Sequence, residues 1–374
     1  MAINIQKLIE AIQTSIGNAT PATPTRELEI LTKGAFKWGD NQITSFDSDG
    51  AFLDSATTSP YMLAYHTGKK NIYAFDSGSW QSISGTVAAG YSFQGSTSGY
   101  TSGGLVPPFS NVIDKFPFSS DGNATDVGDL TVARSNAAGQ SSSASGYTSG
   151  GHPFPLDVID KFPFSADANA TDVGDLTVAR RYLAGQSSSA NGYSAGGPGS
   201  NVIDKFPFSS DANATDVGDL TVARYYLAGQ SSTVSGYSSG GTPPYTNVID
   251  KFPFSADANA TDVGDLTVAR GYVTGQSSTV SGYTSGGFSP AQQSNVIDKF
   301  SFSTDTNATD VGDLTVARYN LAGGQSSTAS GYTSGGTTSD ATNIIDKFPF
   351  SSDGNATDVG DLSVTRYGGA GQQV

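Results

Sequence analysis

Apolar positions along this chain recur in short alternating runs, and the runs themselves recur. In NVIDKFPF (201–208), Val202, Asp204, Phe206 and Phe208 fall on one face at period two, the mark of a β-strand. Ahead of it, RYLAGQSSSA (181–190) reads as an extended run of small residues, and YSAGG (193–197) as a short strand closed by a double glycine. Between these two, Asn191-Gly192 is a two-residue hairpin signal, because both positions tolerate positive φ. SSDANAT (209–215) is turn chemistry, with Asn213 suited to the left-handed conformation. DVGDLTVAR (216–224) predicts a fourth strand with Leu220 and Val222 on one face. Only the N-terminus departs from period two. There Ile5, Leu8, Ile9, Ile12 and Ile16 form a helical stripe, and TPTRELEILTKGA (23–35) reads as a second short helix capped near Thr25 and Glu27.

The four-strand unit is written six times. Ile-Asp-Lys-Phe begins at Ile113, Ile159, Ile203, Ile249, Ile297 and Ile345. GYTSGG, or a close variant, precedes each copy, beginning at Gly99, Gly146, Gly192, Gly236, Gly282 and Gly331. A period of roughly 40–50 residues belongs to propeller blades, and four strands joined as a meander make one blade. The small-residue first strand suits the crowding at a propeller axis. The expectation is an all-β, six-bladed β-propeller over residues 84–374, preceded by a small α+β docking segment: helical at 1–36, a β module at 37–83. Ala-Gly phrases occur at both ends of the array, TVAAGYSFQGS (86–96) and RYGGAGQQV (366–374). Either end can supply the innermost strand of the first blade.

The unit resembles the kelch repeat. The matching residues are the aromatic strand ending in the double glycine (Tyr193 to Gly197), the next strand with Phe206 and Phe208, and Arg224 at the crossing to the following unit. The usual fourth-strand Trp is absent, and Leu220 stands in its place. The turn Ser119-Ser120-Asp121-Gly122-Asn123-Ala124-Thr125 resembles the Asp-box of sialidase-type propellers, with Asn for Gly and Asp126 for Trp; in that family the box is a structural turn. AYHTGKKNIYAFDSGSWQSI (64–83) looks like a β module found near the N-terminus of tailed-phage structural proteins. That resemblance implies a virion tail or capsid fibre, made in a host cytoplasm.

Composition narrows the partners. The formal net charge of −15 disfavours nucleic acid, whose phosphates it repels. No apolar run approaches the ~20 residues of a membrane span. The first 18 residues carry charges inside their apolar pattern, so they are not expected to be a signal peptide, and the Asn-Ala-Thr sequons are read as turns. There is no cysteine, and the two histidines are His66 and His152. The acidic residues repeat with the blade. Asp114-type residues are expected to partner Lys115- and Arg134-type residues at the surface or between blades. No single carboxylate pair stands apart, so neither catalysis nor a cofactor is expected. Asp121, Asn123, Asp126 and Asp129 offer oxygen ligands for calcium, but without the spacing of an EF-hand, and no metal site is assigned.

The copies differ most in two places. After the double glycine the loops read LVPPFS (105–110), HPFPL (152–156), PGS (198–200), TPPYT (242–246), FSPAQQS (288–294) and TTSDAT (337–342). After each closing Arg they read SNA, RYL, YYL, GYV, YNL and YGG. A meander opens both on the same side of the disc. That side is the candidate ligand surface, through Phe109, Phe154, Tyr182, Tyr226, Tyr245, Tyr272 and Phe288. Its expected partner is a host-surface glycan or protein. The Ile5–Ile16 stripe would dock on other virion proteins, with several copies per particle. The alternatives are a carbohydrate-active, glycosidase-like propeller enzyme and an intracellular kelch-type adaptor.

Overall fold

Each alternating run pairs with its neighbours in sequence, giving six four-stranded antiparallel sheets. This computed structural model describes residues 93–374 in full, together with the backbone of five strands between Phe36 and Ser82. The six sheets are the blades of a β-propeller. Blade 3 shows the pattern. Its strands, from the axis outward, are Ala184–Ser187, Asn191–Ala195, Val202–Pro207 and Thr215–Asp219. The innermost strands of blades 2, 4, 5 and 6 are Ala138–Ser141, Ala228–Ser231, Thr274–Ser277 and Gly323–Ser326. Blade 1 consists of Ser98–Leu105, Phe109–Pro117 and Thr125–Asp129, and takes its innermost strand from Ala370–Gln373. The C-terminal Ala-Gly phrase therefore closes the ring, with Gln372 paired to Tyr100.

The axis demands glycine. A Cβ on Gly185 would meet the carbonyl oxygen of Gly139 well inside 3.0 Å, and the same clash runs from Gly229 to Gly185 and on around to Gly371 and Gly324. The glutamine that follows spans the blade junction. Nε2 of Gln186 donates to Tyr237 O at 2.9 Å, and Gln372 Nε2 donates to Tyr147 O at 2.9 Å. Phe93–Thr97 lies against the end of these strands on the side of the uniform turns: Gln94 Nε2 donates to Ser277 O at 2.9 Å, and Gly95 N to Ser326 O at 2.8 Å.

Blades pack through a repeated exchange. Tyr193, Ile203 and Leu220 of blade 3, with Leu227 of the crossing that follows, bury Phe252 of blade 4, with Phe254 against them. The Tyr193 ring lies 5.4 Å from Phe252 and 4.9 Å from Phe254. The period-two face of the third strand thus faces the preceding blade. Asp204, on that face, is fully buried and binds Arg180 at 2.5 Å; its Oδ1 accepts from Thr177 Oγ1 at 2.6 Å. The Asp114-type residues are therefore buried partners between blades, and their pairs are the closing arginines. Lys115-type residues pair instead with the turn of the next blade at the surface, as Lys115 does with Asp167 at 3.0 Å.

Three local expectations are corrected. The hairpin before YSAGG is turned by Ser188, whose Oγ accepts from Asn191 N at 2.9 Å, while Asn191-Gly192 already lies in the strand opposite Pro207 and Phe206. A serine side chain closes this turn, so no positive φ is needed at Asn191. The asparagine of SSDANAT does not enter the left-handed region either. Asn213 Oδ1 accepts from Asp175 N of the preceding blade at 3.1 Å, and Ala214 N donates to Asp175 O at 2.7 Å. The turn is a clip on the neighbour's edge strand, which fixes its asparagine. Finally, the fourth strand of blade 3 stops at Asp219, so Leu220 and Val222 do not share a face. Leu220 is buried under the blade and Val222 is exposed.

Residues 1–90 and 91–374 form two compact units. In the first, Phe36–Trp38, Asn41–Phe46, Leu63–His66, Asn71–Asp76 and Ser79–Ser82 make one sheet in that order. Its pairings are antiparallel except the parallel one of Thr44 with Ala64. The expected helices, with Ile5, Leu8, Ile9, Ile12 and Ile16, lie outside the described residues.

Candidate recognition face

Every blade crossing passes the axis through one residue in the left-handed region. These six are Asn136 (φ 54°), Tyr182 (62°), Tyr226 (57°), Tyr272 (60°), Asn320 (51°) and Gly368 (62°). Each donates its backbone N–H to the carbonyl of its counterpart one blade back. Tyr182 N reaches Asn136 O at 2.7 Å, Tyr226 N reaches Tyr182 O at 3.0 Å, and Tyr272 N reaches Tyr226 O at 2.8 Å. Asn320 N then meets Tyr272 O at 3.0 Å, Gly368 N meets Asn320 O at 2.8 Å, and Asn136 N closes the circle on Gly368 O. The mouth of the axis is thus framed by a closed ring of peptide hydrogen bonds, and the left-handed φ is what turns each N–H along the ring. Beneath it lies a cavity of about 100 Å³, lined by these crossings and the glycines of the innermost strands.

The frame is six-fold but its side chains are not. Three consecutive positions carry tyrosine and the other three carry Asn320, Gly368 and Asn136. The Tyr226 ring lies 3.7 Å from that of Tyr272, stacked, and 4.1 Å from that of Tyr182. The remaining loops extend this arc. Tyr319 meets Tyr272 edge-on at 5.7 Å and Phe288 at 5.3 Å; Phe288 faces Tyr245 at 6.4 Å. At the other end His152 lies 6.2 Å from Tyr182 and 5.3 Å from Phe109. The structure therefore brings Phe109, Tyr182, Tyr226, Tyr245, Tyr272 and Phe288 onto one connected arc of half-buried rings. Phe154, 75% exposed, stands outside it.

Reading the sequence alone missed Tyr225, Tyr319, His152 and Arg181, and the two asparagines. The middle column of the six crossing triplets reads N, Y, Y, Y, N, G. Asn and Gly are the residues that take the left-handed conformation most readily, so that column carried the signal.

Electrostatics at the mouth are muted. Arg181 Nη1 donates to His152 Nδ1 at 2.9 Å and its guanidinium sits 5.1 Å from the centre of the Tyr182 ring. Because arginine can only donate, the His152 proton is on Nε2. Burial and then Arg181 hold the His152 pKa below its usual value, so the imidazole is neutral at neutral pH. Burial, followed by the neighbouring Tyr182 phenol, pushes Tyr226 far above the ordinary tyrosine range, and burial raises Tyr272 and Tyr245 as well. Among the described residues, no group of three or more His, Cys, Asp or Glu is placed to hold a metal ion. Asp121 binds Lys347 Nζ at 2.9 Å, and Asp126 Oδ1 accepts from Gly128 N at 3.2 Å. No protein-family model and no curated protein matches this sequence.

Proposed function

We propose that this chain is a non-enzymatic recognition protein whose ligand surface is the face of the axial mouth and its loops. The observation that carries this reading is the break in symmetry. Six blades keep the core, the ion pairs and the turns of one side nearly identical, while the aromatic residues of the other side are concentrated over half of the mouth. A spacer has no use for that asymmetry. Rigid aromatic rings lose little entropy on binding and give contact area at low cost. The finer reading is a tail or capsid fibre of a tailed-phage particle, built on a kelch-like repeat. Its support is the resemblance of the repeat and of residues 64–83. In that reading the segment 1–36 docks on other virion proteins, in several copies per particle, and the propeller meets a host-surface glycan or protein. The glycosidase-like alternative would need a carboxylate pair among the mouth residues, where the ring positions carry Tyr, Asn and Gly.

The experiment replaces loops 105–110, 152–156, 242–246, 288–294 and 337–342 with the short Pro198-Gly199-Ser200 form. The blades are expected to fold as before, and attachment to host cells to fall. Attachment that persists through the loop exchange but is abolished by substitutions in the SSDANAT turns would place recognition on the other side.

A further inference from the structure

Tyrosine is a costly choice at three of the six ring positions. The left-handed region disfavours residues with a bulky Cβ substituent, whereas Asn and Gly tolerate it. The same ring uses Asn136, Asn320 and Gly368, so the frame does not require tyrosine anywhere. Backbone strain kept at a mouth, where a cheaper residue demonstrably serves, marks side chains held for their chemistry. From this, and resting on the recognition reading above, we infer that the mouth binds the terminal residue of an uncharged saccharide.

The two halves of the ring match the two characters of a pyranose. One half is aromatic: Tyr226 is packed between Tyr182 and Tyr272, so the outer rings and the ring edges are what it offers to the C–H face of a sugar. The other half is Asn136, Asn320 and Gly368, which offers amide groups for hydroxyls, with the Asn136 side chain lying over Gly368. Asn136 Nδ2 is tied to Ser135 Oγ at 3.0 Å, which orients that amide. The cavity of about 100 Å³ beneath the ring has room for an exocyclic group such as a hydroxymethyl.

Charge selects among saccharides. The cavity lining holds no Lys, Arg, Asp or Glu. Arg181, the cation beside the arc, donates Nη1 to His152 and lies against the Tyr182 ring, outside the cavity lining. The chain carries a net charge of −15. A sialylated or phosphorylated glycan would meet that field with no cation in the cavity lining to receive it, and a quaternary ammonium group would find no carboxylate there. The neutral sugar needs neither.

The test uses the full chain on an array of neutral, sialylated and phosphorylated glycans, with free choline as a competitor. The variant is the triple substitution Tyr182→Asn, Tyr226→Asn and Tyr272→Asn, which places at each ring position a residue the ring already accommodates. Its circular dichroism and unfolding midpoint report that the blades persist; Val234→Ala, at an exposed valine in the hairpin turns of the opposite side, serves as the control. The expected result is binding to neutral glycans with an accessible terminal hexose, weakened about tenfold or more in the triple variant, unchanged in the control and insensitive to choline. Absence of binding to every neutral glycan overturns the inference, as does preference for the charged ones or full retention by the triple variant. If loop replacement abolishes attachment to cells while the triple variant attaches normally, the recognition face stands and the mouth is the wrong part of it.

Discussion

Arg224 of one blade and Asp250 of the next form an ion pair at 2.9 Å, and neither side chain has more than 1% of its surface in solvent. Five equivalent pairs join the other blades, the last between Arg366 and Asp114 across the closure. Each aspartate also accepts from the backbone of the preceding blade, as Asp250 Oδ2 does from Thr221 N at 3.1 Å. Burial works against the charge on Arg224 and Asp250 works for it. The pair is thus a specificity device at the blade junction, where a displaced blade would strand a buried charge.

Removing one partner should be far more costly than removing a surface pair. Asp250→Ala leaves a guanidinium buried and uncompensated, and is expected to lower stability by about 3–5 kcal/mol. Lys251→Ala, which deletes the neighbouring pair with the half-exposed Asp305, should cost under ~1 kcal/mol. Denaturant unfolding of the two variants side by side measures the difference. Equal losses would show that the buried pair does not hold the junction.

The axial glycines are the second point of sensitivity. Gly185→Ala would drive a methyl group into the backbone of the adjacent blade. That neighbour is a main-chain carbonyl in a ring closed on itself, so it has nowhere to move. Overpacking of a rigid site costs typically about 1–3 kcal/mol, and this variant is expected at or above the upper end. Gly122→Ala, where a Cβ meets nothing within 4 Å, is the matched control and should leave the unfolding midpoint unchanged.

Much of this arrangement was legible before any coordinates. The spacing of the Ile-Asp-Lys-Phe copies announces the blade count, and the period-two face from Asp204 to Phe208 is the one that packs on the preceding blade. The end that closes the ring could also have been read: AGQ recurs in the inner strands of most blades, and Ala370-Gly371-Gln372 has it where residues 88–90 do not. What escaped were features that depend on the neighbouring blade. Asn213 looks like a turn residue by local rules, and its actual role, accepting from Asp175 N, exists only across a junction. Val222 follows Leu220 at the spacing of a strand, but pairing ends at Asp219. The arc at the mouth was half visible, because loop variation marked the face while the ring that orders it is made of backbone groups.

Alkaline pH should loosen the ring. Tyr100, Tyr147, Tyr193, Tyr237, Tyr283 and Tyr332 have pKa values raised above the ordinary 10.0, in each case first by burial. Lys115, Lys161, Lys251, Lys299 and Lys347 are raised above 10.5, first by the hydrogen bond to an aspartate of the next blade. In both sets the folded state holds its proton more tightly than the unfolded chain. The stability they contribute is complete below the unfolded pKa of about 10 and is lost as pH rises through the higher folded values. Unfolding midpoints should therefore hold steady from neutral pH to about 9 and decline beyond about 10, with phenolate absorbance rising together with the loss of β-sheet circular dichroism. Phenolate formation well below the loss of structure would show that these hydroxyls titrate freely in the fold.

Tyrosines in this protein divide into two kinds, and stability should separate them. Tyr193 is 2% exposed, in an extended strand, and packs on both Phe252 and Phe254. Tyr193→Ala removes core volume with no compensating relief, and the expected loss is about 3–5 kcal/mol. Tyr226 stacks on two rings as well, yet sits at φ 57°. Tyr226→Gly gives up aromatic contacts worth about 0.5–1.5 kcal/mol each. It also relieves a left-handed backbone that costs a residue with a Cβ about 1–2 kcal/mol, and Gly368 shows that the ring accepts glycine. The two terms are of similar size and opposite sign, so this variant is expected within about 1 kcal/mol of the parent chain. Thermal or denaturant unfolding of both variants decides it. A loss from Tyr226→Gly as large as that from Tyr193→Ala would make Tyr226 a core residue that happens to lie at the mouth, and would remove the reason to look for a ligand there.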